Sequence, residues 1–187
     1  MDSSAGLTRE DLIRALWPVG ERAAIKTWAI LDGARDKRIY EAICQSFEVK
    51  CCLFAGELSP ELSRVAPYLI QLEPEDRLTK LLLDQGWGNS WGIYLRSDAS
   101  LETLRRHFRS FLRVSDEAGR KMLFRYYDPR VLRVFLPTCV TEQLELMFRH
   151  VTWFQVETEA PGEILRMGLD SETRSLVAVQ PPNRTNP

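Results

Sequence analysis

Four short apolar runs, at residues 27–32, 50–54, 67–72 and 91–96, alternate with segments whose apolar residues recur every three or four positions. Such runs have the length of a buried strand, whereas a 3.6-residue repeat marks a helix with one face in a core. Ile39, Tyr40, Ile43 and Phe47 carry that repeat after the first run, and Leu78, Leu81 and Leu82 after the third. Leu101, Leu104, Phe108, Phe111 and Leu112 carry it after the fourth. Strands interleaved with amphipathic helices bury both kinds of apolar face by layering helices on a sheet. The pattern therefore predicts a single α/β domain, a mixed β-sheet flanked by helices.

Capping residues and prolines place the element boundaries. Thr8 followed by Asp11 reads as a capping box before Leu12, Ile13, Leu16 and Trp17, so residues 1–20 are expected to hold an amphipathic helix packed on the body. Ser59-Pro60 and Pro74 mark two further helix starts, with Glu73, Glu75 and Asp76 complementing the dipole of the second. A strand is expected at 122–127, helices at 129–136 and 141–148, and a closing hairpin of 151–156 with 163–167 through Pro161-Gly162. The α/β body then spans 24–169, and 180–187, rich in Pro and Asn, reads as a tail with nothing to bury.

Lys and Arg number 25 against 26 Asp and Glu, so the net charge of −1 creates no global field toward nucleic acid or anionic lipid. The N-terminus lacks a basic segment followed by an apolar core, and no apolar run approaches the roughly 20 residues that span a bilayer. A cytoplasmic protein without membrane insertion is expected. Cys44, Cys51, Cys52 and Cys139 lack ligand spacing and read as buried reduced thiols. With only His107 and His150 beside them, neither a metal site nor a cofactor is expected. His107 lies among Arg105, Arg106 and Arg109, which reads as a solvated basic face, with an acidic docking partner as the alternative. The glycines between Gly86 and Gly92 stand between a helix and a strand, the reverse of a dinucleotide loop, and no nucleophile–base motif is present.

The densest cluster of polar and aromatic groups is residues 123–132, Leu-Phe-Arg-Tyr-Tyr-Asp-Pro-Arg-Val-Leu. Asp128 caps a helix whose first position, Pro129, needs no N–H donor. Arg125, Tyr127 and Arg130 crowd the same junction, where the arginines can pair with Asp128 or a partner carboxylate and Tyr127 can serve as a rigid aromatic contact. Asp32, at a strand end, suggests a rival reading: a small hydrolase or ligand-binding enzyme with a cleft near Asp32 and Arg125/Asp128.

Taken in order, the segments 28–33, 66–70, 91–97, 101–112 and 123–132 resemble the Tap/Tec adaptor-chaperone family of bacterial type VI secretion. Its most specific element, Phe-Arg-x-Tyr-Asp-Pro-Arg, falls on Phe124, Arg125, Tyr127, Asp128, Pro129 and Arg130. The resemblance implies a non-enzymatic protein that binds a cognate secreted effector and helps load it onto the VgrG spike. The resemblance also implies a further C-terminal region in many relatives, which is expected to be absent or reduced here. On that footing Trp87, Trp91, Trp153 and Phe154, near the closing hairpin, become the candidates for cargo contact.

Overall fold

The computed structural model describes residues 7–115, 118–160 and 163–179. Helix α1 (Arg9–Leu16) begins at the expected box, Thr8 accepting the Asp11 N–H at 3.2 Å and Asp11 accepting the Thr8 N–H at 3.0 Å. Strand β1 (Lys26–Asp32) is buried from Thr27 onward and lies between β3 (Pro67–Leu72) and β4 (Gly92–Ser97). The contact with β4 is close at Gly92, where any Cβ would overlap the Ile30 carbonyl. Helix α2 (Lys37–Gln45), capped by Asp36, leads to the short β2 (Lys50–Cys52). Helix α3 (Pro60–Val65), capped by Ser59, leads to β3. Helix α4 (Arg77–Leu81) runs into a π-helical turn at Leu82–Gly86 before β4.

Helix α5 (Leu101–Phe111) is followed by β5 (Arg113–Ser115) and β6 (Lys121–Leu123), which pair only with each other as a small ribbon. Helices α6 (Pro129–Phe135) and α7 (Thr141–Phe148) precede β7 (Trp153–Glu157), β8 (Ile164–Leu169) and β9 (Leu176–Val179). The main sheet has the order β2-β3-β1-β4-β7-β8-β9.

Register assigns each face of this sheet its own core. Trp28 lies opposite Leu95, Leu95 opposite Phe154, and Phe154 opposite Met167, so one row of side chains crosses four strands on one face. Leu104 and Phe108 of α5, Leu132 of α6, and Leu144 and Met147 of α7 pack there. Ala29 and Tyr94, one residue out of phase, face the opposite side. They meet Leu12 and Leu16 of α1, Ile39 and Ile43 of α2 and Leu78 of α4. The result is the expected α/β layering, a sheet between two helical layers, with the closing β7–β8 hairpin in place.

Several details differ from the sequence reading. The strand directions are more uniform than in a mixed sheet: α2 carries the chain to a strand parallel to β1, but β3 returns between them, so every hydrogen-bonded pair is antiparallel. The strand expected over 122–127 is confined to Lys121–Leu123, and residues 126–128 form a turn. Helix α4 starts after Asp76, not at Pro74, because Asp76 accepts the Leu78 N–H at 3.2 Å; Glu73 and Glu75 therefore precede it. Phe47 lies beyond α2 and is fully exposed, since Ser46 closes that helix with an extended backbone. Strand β9 is an addition, pairing with β8 from Arg166↔Val179 to Leu169↔Leu176 and covering the outer edge of the closing hairpin. The link at Pro161-Gly162 and the tail at 180–187 lie outside the described residues.

Candidate functional site

The motif at 124–130 is a clamp between the sheet and α6. Its backbone turns where the Asp128 N–H donates to the Arg125 carbonyl at 3.0 Å. Tyr126, fully buried, donates its hydroxyl to the Phe108 carbonyl at 2.8 Å and stacks 5.9 Å from the Phe108 ring, which ties the turn to α5. Tyr127 is 1% exposed, so it is a core ring and not the projecting contact the sequence suggested; burial pushes its hydroxyl up to about 12.

Each arginine of the motif has its own carboxylate. Arg125 pairs with Asp32, at the C-terminal end of β1 and 93 positions away, not with Asp128. The Asp32 carboxylate is buried, whereas the Arg125 side chain is 42% exposed. Asp32 also accepts the Ala34 N–H at 3.1 Å. Arg130 grips Asp128 with its Nε at 2.9 Å and a terminal nitrogen at 2.5 Å, while Asp128 caps α6 by accepting the Arg130 N–H at 3.0 Å. Burial alone would raise the Asp128 acid, but the hydrogen bonds from the Arg130 side chain and backbone outweigh it and hold the group below its ordinary range. Pro129 fills the first helical position, where no N–H partner is needed.

These bonds bear on the enzyme alternative. Asp32 and Asp128 are both engaged in holding the chain. The cavity beside the junction is lined by Asp128, Arg130, Val131, Val134, Phe135 and Thr138, without Asp32 or Arg125. His107 does not join them. It is buried, not on a solvated face, and its Nε2 lies 3.1 Å from the Met147 carbonyl, with burial lowering its pKa to about 4. Among the described residues, no three His, Cys, Asp or Glu side chains converge as metal ligands would. The thiols are less buried than expected: Cys51 and Cys52 are half-buried because β2 is an edge strand, Cys139 is half-buried, and Cys44, on α2, is exposed.

The aromatic candidates near the hairpin sit mainly inside the protein. Trp91 is 3% exposed, Trp153 5% and Phe154 0%, which corrects the expectation that they reach cargo. Trp91 packs against Gly86, where an added Cβ would come 2.9 Å from the indole, and Phe154 lies on the α5 and α7 face of the sheet. Trp153 donates to Glu21 at 3.3 Å beneath the Arg166 guanidinium, which stands 4.3 Å from its ring. Only Trp87 is half-exposed, its ring 5.5 Å from Tyr94. A group that sequence reasoning missed is Glu157, which accepts the Gly88 and Ser90 N–H groups at 2.7 and 2.9 Å and so shapes the loop beside Trp87. Local sequence carries no signal for it, since 67 positions separate Glu157 from Ser90.

A family model described as a domain of unknown function (DUF4123) matches residues 27–146, well over half of the chain. The chain belongs to the DUF4123 family. This is the family of Tap/Tec-type adaptors of type VI secretion effectors, as the motif set indicated. The DUF4123 match runs from β1 to α7 and so includes both ends of the Asp32–Arg125 pair. No curated protein and no solved structure matches the chain significantly. No described helix is long and apolar enough to cross a membrane.

Proposed function

We propose that the protein is a non-enzymatic adaptor that holds one secreted effector in the cytoplasm of the producing cell and promotes its loading onto the VgrG spike. Membership of the DUF4123 adaptor family carries this reading. The site chemistry supports it: the motif's two arginines close ion pairs with Asp32 and Asp128, and Asp128 caps α6, an arrangement suited to maintaining a shared scaffold. On this view residues 124–130 keep the fold, and cargo choice belongs to other surfaces. Arg125 and Arg130, each about half-exposed, remain open to an added partner contact.

Affinity purification from secretion-active cells tests the proposal. The expected outcome is recovery of one effector together with VgrG, with secretion of that effector alone lost when the adaptor gene is deleted. Recovery of neither protein, or loss of every effector's secretion on deletion, refutes the adaptor reading.

A further inference from the structure

Arg9, Arg14, Arg38, Arg96, Arg125, Arg130, Arg133 and Arg174 each have a carboxylate within ion-pair distance. Arg106, Arg109 and Arg113, like Arg22, Arg64, Arg77 and Arg149, have none among the described residues, but these three stand together. Their guanidinium groups form no ion pair or hydrogen bond among the described residues, and neither Glu57 nor Glu61, on the facing loop and helix, reaches them. All three line one groove of ≈ 620 Å³ between α5 and the segment from β2 to α3.

The floor of that groove is aliphatic and aromatic. Leu53, Phe54, Leu58 and Leu112 form it, and Leu62 and Leu123 stand at its margin 51% and 48% exposed. A second, apolar groove of ≈ 380 Å³, lined in part by Phe111, Phe124, Phe135 and Met147, adjoins it and shares Ser110 and Arg113. Positive charge unpaired among the described residues, set around an apolar trough, is complementary to one kind of ligand. A nucleic acid would leave the aliphatic floor unused, because polyanion sites combine cations with stacking platforms. A protein helix with an apolar stripe and flanking carboxylates uses both features.

We infer that this groove is the cargo grip of the adaptor, and that it takes an acidic amphipathic helix of the effector. The inference rests on the adaptor reading above. Apolar anchors of the helix sit over Phe54, Leu58 and Leu62, and its carboxylates face Arg106, Arg109 and Arg113. Because the arginines lie at the rim, they contribute steering and selectivity, while the trough contributes the buried area.

The probe is a fluorescent peptide of about 18 residues, five turns of helix, with Leu at helical spacing and Glu between. Wild-type protein should bind it. Arg109→Glu/Arg113→Glu should weaken binding at least about tenfold, as two attractions become repulsions. Lys37→Glu, on the opposite layer, should leave binding unchanged, and added salt should weaken it. Arg113→Glu alone, on the exposed ribbon, serves if the double variant melts early. Hydrogen exchange should show protection on α5 and residues 53–62. The inference is overturned by equal binding to the variants, by no binding, or by equal binding of a Glu-only peptide or single-stranded DNA. Affinity purification separates the two levels: an effector recovered equally with wild type and variant refutes the groove alone, whereas no effector with wild type refutes the adaptor reading.

Discussion

Replacing Asp128 by Ala removes two interactions whose sizes differ. The first is the cap, a 3.0 Å bond from the Arg130 N–H at the start of α6. Losing an Asp cap costs about 1 kcal/mol. The second is the grip on the Arg130 side chain, whose 51% exposure lets water replace much of the lost contact. Discounted for that screening, the pair contributes about 0.5–1 kcal/mol, so the variant should lose about 2 kcal/mol in all. With a urea slope of about 2–3 kcal/mol/M, the midpoint should fall by about 0.7–1 M. Asp128→Asn keeps a capping oxygen and should lose less than half as much. The sign of the pH dependence follows from the depressed acidity of Asp128. Its charge-dependent contribution is full above the unfolded pKa of about 3.9 and is lost as pH falls through the lower folded value, while the neutral acid still offers a capping oxygen, so the gap between wild type and Asp128→Ala should narrow below about pH 4. An unchanged midpoint, or a gap that does not shrink in acid, would refute the structural role. Lost cargo capture at an unchanged midpoint would make Asp128 a contact residue.

Arg125→Ala should be the more damaging change, about 3–5 kcal/mol, because it strands the buried Asp32 carboxylate; a denaturation midpoint above that of Asp128→Ala would contradict this. His107, held near pKa 4 by burial, binds its proton less readily folded than unfolded, so stability is lost as pH falls below the unfolded value. Between about pH 7 and pH 5 that loss should reach about 2 kcal/mol, and His107→Gln should lack it when urea midpoints are compared at the two pH values.

What this sequence determined by itself is local. The Thr8–Asp11 box, the Ser59 and Asp128 caps and the strands at 27–32, 67–72 and 91–96 act through bonds and periodicities within a few residues, and the structure contains each of them. Phe47 marks the limit of periodicity, since it fits the helical repeat of α2 and still lies outside it. Tertiary structure decided what depends on distant partners: that Arg125 meets Asp32 across 93 positions, that His107 turns inward to Met147, and that Trp91, Trp153 and Phe154 belong to the core. Strand β9 is of the same kind, four residues with only β8 beside them. The groove along α5 stands between the two levels. Its arginines are legible as a basic run, but their lack of an ion pair among the described residues and the apolar floor opposite them exist only once β2, α3 and α5 are brought together. Caps and periodicities are short-range and survive in any fold that uses them, whereas charge pairing and burial are set by which surfaces the chain folds against one another.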